Sequence, residues 1–147
     1  MARHSHGAIA LRPARVRSSR VVFEKKELSE ADIRSKYILP AILKVGWDLH
    51  QQIREELPIN AGAVIVRGRK VERDTILKAD YVLFWKGEHP LAVVEAKDNN
   101  HPIGAGMEQA LTYAKHLDAP FAFSSNGDGF VLHDRTGQEA PRRAGVP

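Results

Sequence analysis

Two apolar runs, residues 79–85 and 91–97, flank the polar stretch Lys86-Gly87-Glu88-His89 and read together as a β-hairpin. The second run opens Leu91-Ala92-Val93-Val94, apolar at successive rather than alternate positions, the pattern of a strand covered on both faces. Such a strand should close a core. Instead it leads into Glu95 and Lys97, and Asp80 stands near the start of its partner. With the turn at 86–89, Trp85 faces Pro90, and counting outward sets Asp80 opposite Glu95. Cross-strand neighbours share a face, with Cβ atoms about 5 Å apart. Strand alternation adds Lys97 to that face and points Ala96 the other way.

Two carboxylates at the end of an apolar strand are costly unless positive charge joins them. Lys97 can supply it as a strand-end salt bridge, which explains the residues without any chemistry. A divalent cation is the other solution. The chain has no Cys, so oxygen ligands remain, and these favour a hard ion. Mg²⁺ or Mn²⁺ takes one or two carboxylates and keeps several waters. Such an ion polarises a phosphodiester and lowers the pKa of its bound water. A lysine two residues on can orient that water or stabilise the charge that develops.

Around the hairpin, "LSEADIRSKYILPAILKVGWD" predicts a helix: Ser29 and Asp32 match a capping box, and Gly46 is a natural stop. Ile33, Tyr37, Ile38, Ala41, Ile42 and Val45 recur at helical spacing, with Pro40 set to kink the helix or begin its second half. "NAGAVIVRG" (60–68) predicts a strand. "IGAGMEQALTYAKHL" predicts a helix with Ile103, Met107, Ala110, Leu111, Ala114 and Leu117 on one face. Two more strands follow at 120–124 and 129–133, joined by an Asn126-Gly127 turn. Helix, three strands, helix, two strands is an α/β order, a central mixed β-sheet flanked by α-helices.

At 147 residues and 43% hydrophobic, the chain suits one domain, and it has no apolar run near the roughly 18 residues of a membrane span. The net charge of +4 and pI near 9.5 favour a polyanionic partner, although the basic excess is concentrated at the ends. Residues 1–26 are a basic arm whose first twenty positions hold five Arg and no acid. It reads either as a phosphate-binding arm or as a disordered tail. Residues 138–147 have the composition of a linker leading to a longer chain. Arg67, Arg69, Lys70 and Arg73 form a basic cluster interrupted by Glu72 and Asp74, fit for a DNA channel or for a solvated loop. His89 and His133 read as turn and surface residues.

Asp80 followed by Glu95-Ala96-Lys97 on a hairpin, then a helix, resembles the core of the PD-(D/E)XK nucleases, with Ala79 where those carry Pro. The resemblance is closer to the amino-terminal nuclease domain of type I restriction enzyme R (motor) subunits. It runs through "EADIRSKYILPAILKVGWD", "KADYVLFWKGEHPLAVVEAKD", "GMEQALTYAKHL" and "PFAFSSNGDGFVLHD", in that family's order and spacing, and suggests a nuclease domain at 27–137. Gln109 and Tyr113 resemble the family's Q-x-x-x-Y motif. Their i, i+4 spacing puts both on one helix face with His116. Read alone, they are polar groups packing on the sheet; the resemblance implies DNA-backbone or active-site contact. Related nucleases often add an acid from the first helix, where Glu30 competes with Glu27 and Asp32.

The resemblance implies a restriction-endonuclease-like core and a Mg²⁺-dependent DNA endonuclease, with Mn²⁺ as a substitute. Asp80, Glu95 and Lys97 would be catalytic, Asp80 and Glu95 the metal ligands, Gln109 and Tyr113 auxiliary DNA-binding residues. Double-stranded DNA would be cut with little intrinsic sequence preference, since no recognition helix is evident; the specificity and methylation subunits of a cytoplasmic restriction complex would choose the site. No G-x-x-x-x-G-K-[ST] loop occurs here, so ATP would act only through a motor domain absent from this chain. Two other readings stand beside this one: a stand-alone nuclease of DNA repair or mobile-element defence, and a non-catalytic DNA-binding module of the same fold.

Overall fold

The computed structural model of the chain describes residues 22–59 and 77–137. The first part of the basic arm, the strand expected at 60–68, the basic cluster at 67–73 and the tail at 138–147 lie outside the described residues. The fold starts ahead of residue 27. A 3₁₀ turn at Lys25–Glu27 is tied to the far end of the chain, with Lys25 Nζ donating to Gly127 C=O at 2.7 Å and to Asp128 at 2.6 Å.

A five-stranded sheet runs in the order β1 (Ile53–Ile59), β2 (Leu77–Trp85), β3 (His89–Ala96), β4 (Phe121–Ser125) and β5 (Phe130–Asp134). Among the described residues only β3 and β4 are parallel, and the crossover between them carries helix α3 (Met107–Leu117). The architecture is therefore α/β with a mixed sheet. β1 was not foreseen at 53–59. Its sequence, IREELPI, has Glu at two successive positions and a Pro, and an edge strand tolerates both because one side needs no ladder partner. Asp80 and the hairpin sit next to it, in the middle of the sheet.

The first helical stretch covers one face. It begins at α1 (Glu30–Ile33) with the expected capping box, since the Ser29 hydroxyl accepts from Asp32 N–H and the Asp32 carboxylate accepts from Ser29 N–H. It then widens into a π-helical turn, Arg34–Ile38, and resumes as α2 (Leu39–Lys44). Leu39 N–H reaches back five residues to Arg34 C=O. Pro40, which has no N–H to give, sits in the first turn of α2, where none is required. The π turn shifts the phase of the buried stripe to Ile33, Ile38 and Ile42. Tyr37, which an unbroken α-helix would turn inward, is 37% exposed and lies under the Lys25 ammonium at 4.2 Å. Gly46, at φ +109, stops the stretch.

This helical stretch packs on Tyr81, Leu83, Ala92, Val94 and Ala96. The opposite face of the sheet, carrying Val82, Val93 and Ala122, is covered by α3 through Ala110, Tyr113 and Ala114, with Met107, Leu111 and Leu117 beside them. Ile103 falls before the helix rather than on it, because Gly104 and Gly106 keep the preceding turn non-helical. The Asn126-Gly127 turn forms as expected. Asn126 Nδ2 donates to His101 C=O and its Oδ1 accepts from Asp128 N–H, while Gly127 adopts φ +88.

Candidate active site

The hairpin is one residue tighter than the sequence suggests. Lys86 and Gly87 both take positive φ, the loop is closed by Trp85 pairing with His89, and Phe84 pairs with Pro90 rather than Trp85. A β-bulge between Leu83 and Phe84 then absorbs Leu91, so that Leu83 pairs with Ala92 and Tyr81 with Val94. The error at the turn and the bulge cancel. Continuing the ladder past Tyr81 and Val94 brings Asp80 level with Glu95, as expected.

What happens at that level is not a flat cross-strand pair. Ladder pairing stops at Tyr81 and Val94, and the two carboxylates take over the hydrogen bonds beyond it. Asp80 N–H donates to Glu95 Oε1 at 3.0 Å, and Ala96 N–H donates to Asp80 Oδ2 at 2.8 Å. On the other side of β2, Glu56 of β1 has φ +50, and pairing skips from Glu55–Tyr81 to Leu57–Ala79. Tyr81 faces the first helical stretch while Ala79, two residues away, packs with the α3 side. Strands β1 and β2 thus turn over at Glu56 and Asp80, and the sheet opens a notch there.

Both acids in the notch are buried: Asp80 is 9% exposed and Glu95 2%. Burial, followed by the neighbouring Asp80 charge, pushes the Glu95 pKa up to about 9, against the opposing pull of the Asp80 N–H that it accepts and a smaller one from Lys97. Glu95 therefore holds a proton near neutrality. Lys97 follows β3, its N–H donating to Ser125 C=O at 2.9 Å, with its ammonium acting electrostatically on Glu95 and Glu30. It makes no ion pair with either acid among the described residues, so the strand-end salt bridge is not formed.

The cation that does meet Asp80 is Arg34, at the start of the π turn. Its Nη1 lies 2.9 Å from Asp80 Oδ1, and its Nη2 lies 3.4 Å from Glu56 Oε1. Burial disfavours the guanidinium charge, and Asp80 with Glu56 more than offsets that, leaving its pKa raised. Sequence reading missed Arg34, although it stands four residues after Glu30 and so shares its helix face. Of the first-helix acids, Asp32 is engaged in the capping box and a bridge to Lys36. Glu30 is the one turned to the notch, its pKa raised by burial and then by Asp80. The pair remains a pair: among the described residues no group of three His, Cys, Asp or Glu side chains is arranged around a metal position.

Helix α3 closes the back of the notch. Gly106 precedes it, and a Cβ there would meet Ser124 Oγ at 3.0 Å and Glu95 Cβ at 3.2 Å. The buried Ser124 hydroxyl accepts from Gly106 N–H at 2.9 Å and donates to Ile103 C=O at 2.7 Å, anchoring the helix start beside Glu95. Gln109 and Tyr113 are joined, the Gln109 amide donating to the Tyr113 hydroxyl at 2.6 Å. The Tyr113 ring is buried in the core, and Gln109 is the exposed member of the two.

A family model for the second domain of the type I restriction enzyme EcoKI endonuclease subunit matches residues 68–119, the stretch that holds Asp80, Glu95, Lys97, Gln109 and Tyr113. The endonuclease subunit of the type I restriction enzyme EcoAI from Escherichia coli is 53% identical over 112 residues, covering 76% of this chain and 14% of that protein. The chain belongs with the endonuclease subunits of type I restriction enzymes. The EcoKI endonuclease subunit of Escherichia coli K12 is 32% identical over 105 residues, covering 66% of this chain and 9% of its own length. Among solved structures, one described as a fragment of an HsdR subunit of a type I restriction enzyme from Vibrio vulnificus YJ016 superposes with a TM-score of 0.64 at 40% identity. That match covers 76% of this chain and 22% of the other. The chain thus spans about a seventh or less of the two curated relatives. No helix among the described residues is long and apolar enough to cross a membrane.

Proposed function

We propose that this domain cleaves DNA for a type I restriction endonuclease, with Asp80 and Glu95 as ligands to one Mg²⁺ or Mn²⁺ and Lys97 as the catalytic base-side cation. The observation that supports it most is the buried carboxylate pair facing one another across the split between β2 and β3. Two acids in so dry a place repel unless a proton or a cation intervenes, and the pair here holds a proton. The donor set fits a hard divalent ion, which needs only one or two carboxylates from protein and completes its shell with water. Once bound, such an ion would polarise the phosphodiester and activate a water.

The chain's own residues then have separable tasks. Backbone N–H groups of Asp80 and Ala96 fix the two carboxylates in place, so little reordering is needed on binding. Lys97, whose ammonium acts electrostatically on Glu95, stabilises negative charge developing on the phosphate and orients the attacking water. Gln109 offers an exposed amide to the DNA backbone, and Tyr113 holds that amide in position rather than touching DNA through its buried ring. The substrate is double-stranded DNA cut with little sequence preference. Site choice falls to the specificity and methylation subunits of a cytoplasmic complex, and ATP acts only through a motor domain. The domain reads as a PD-(D/E)XK nuclease core spanning 27–137, with Lys25 of the preceding arm docked onto it.

The test is cleavage of supercoiled plasmid in Mg²⁺ by the complete restriction assembly carrying Lys97→Ala. The variant assembly should leave the plasmid closed under conditions where the unaltered one cuts it. Equal cutting by both would dispose of the assignment.

A further inference from the structure

We infer that Arg34 is an internal stand-in for the cation: it occupies the outer oxygen of Asp80 in the ion-free domain and passes to Glu56 when a divalent ion arrives. The inference rests on the reading of Asp80 and Glu95 as ligands. Asp80 Oδ2 accepts from buried Ala96 N–H at 2.8 Å on the inner side, which makes Oδ1 the more open oxygen for an ion, and Oδ1 is the atom that Arg34 Nη1 bonds at 2.9 Å. A guanidinium and a divalent ion on the same oxygen repel one another, and one of them must yield.

The alternative seat is already in place. Glu56 Oε1 lies 3.4 Å from Arg34 Nη2 and 3.5 Å from Nη1, at or beyond the long end of a good hydrogen bond, so Asp80 holds the guanidinium and Glu56 waits for it. Moving the guanidinium from one carboxylate to the other takes a shift smaller than a hydrogen-bond length. The Glu56 side chain is 56% exposed against 12% for Asp80, so the charge relocates toward water rather than into the core. Glu56 also adopts φ +50, a left-handed conformation that residues with a Cβ rarely take, at the point where β1 turns over. Arg34 itself springs from the first residue of the π turn, the one place in the helical stretch where the regular side-chain phase is broken.

Arg34 is thus a positioning residue that acts through Asp80, and its removal and the removal of Glu56 should move ion affinity in opposite directions. Titration of the 147-residue chain with Mn²⁺ alone, followed by calorimetry without DNA, reads this directly. Arg34→Gln should bind Mn²⁺ roughly fivefold tighter than the unaltered chain, the scale of one partly exposed ion pair removed from competition. Glu56→Gln should bind it more weakly by about the same factor, because the displaced guanidinium loses its destination. Arg34→Lys, which keeps the charge without the fork, should fall between Arg34→Gln and the unaltered chain. Thermal unfolding guards against misfolding: Arg34→Gln should melt below the unaltered chain without ion and gain more from added Mn²⁺. A purely structural Arg34 would weaken binding in both variants, and that result, or unchanged affinity in Arg34→Gln, overturns the exchange. Asp80→Asn separates the two levels. If it abolishes binding while Arg34→Gln binds no tighter, the exchange fails and the ligand assignment stands; if it binds normally, both fail.

Discussion

Replacing Glu95 with Gln should make the ion-free domain more stable, and increasingly so as pH rises. Glu95 is buried beside Asp80, and its pKa is raised to about 9 from an ordinary 4.5, chiefly by burial and then by the Asp80 charge. In the unfolded chain the group loses its proton near the ordinary value. Between those two values the native state therefore holds a proton that the unfolded state has lost, and stability falls as pH increases. The slope from one such proton is at most about 1.4 kcal/mol per pH unit. Between about pH 6 and about pH 8 the cost comes to no more than about 3 kcal/mol. The amide of Gln is never ionised, still accepts from Asp80 N–H through its carbonyl, and can donate to the Asp80 carboxylate. Urea denaturation with a chelator present, across that range, should show the unaltered protein losing stability and Glu95→Gln staying nearly level. Asp32, Asp98, Asp128 and Asp134 have lowered pKa values and lose their contribution only below about pH 4, outside the window. A level profile for the unaltered protein, or a Glu95→Gln variant less stable at pH 8, would contradict the assignment of a proton to this pair.

Three further outcomes follow from the packing. Gly106→Ala should cost about 1–3 kcal/mol in urea denaturation, because the new methyl meets Ser124 and Glu95 where the helix start has no room. Ser124→Ala leaves a buried N–H and a part-buried carbonyl without their shared hydroxyl, and should cost about 1–3 kcal/mol by the same measurement. Gly127→Ala combines a left-handed φ of +88 with a contact at 3.0 Å to Ile33, and a loss of about 1–3 kcal/mol should appear as a lowered melting temperature.

Much of this was legible from residue order. The capping box at Ser29 and the β4–β5 turn rest on local chemistry and formed where their residues indicated, as did the hairpin apart from its turn and the apolar face of α3 apart from Ile103. The site's register was legible for a less secure reason. A four-residue turn was read where a three-residue one forms, and a bulge at Leu91 restored the count; nothing in Pro90-Leu91-Ala92 marks which residue will be left unpaired. β1 stayed hidden because IREELPI carries too few alternating apolar positions, and its place is set by pairing with β2 from across an intervening stretch. Arg34 was missed because spacing sets it on the Glu30 face but gives no sign that this face meets the sheet at Asp80. Spacing set Gln109 and Tyr113 on one helix face as polar groups packing on the sheet, and only the structure tells the buried Tyr113 from the outward Gln109.

The central claim is that one divalent ion binds between Asp80 and Glu95. Anomalous diffraction from crystals of the chain soaked in Mn²⁺ tests it without reference to activity. A single strong peak bonded by oxygens of both residues, with the Arg34 guanidinium drawn toward Glu56, is the expected result. A soaked crystal with no peak in the notch, or with manganese on the exposed Glu55 and Glu56 carboxylates instead, would contradict it.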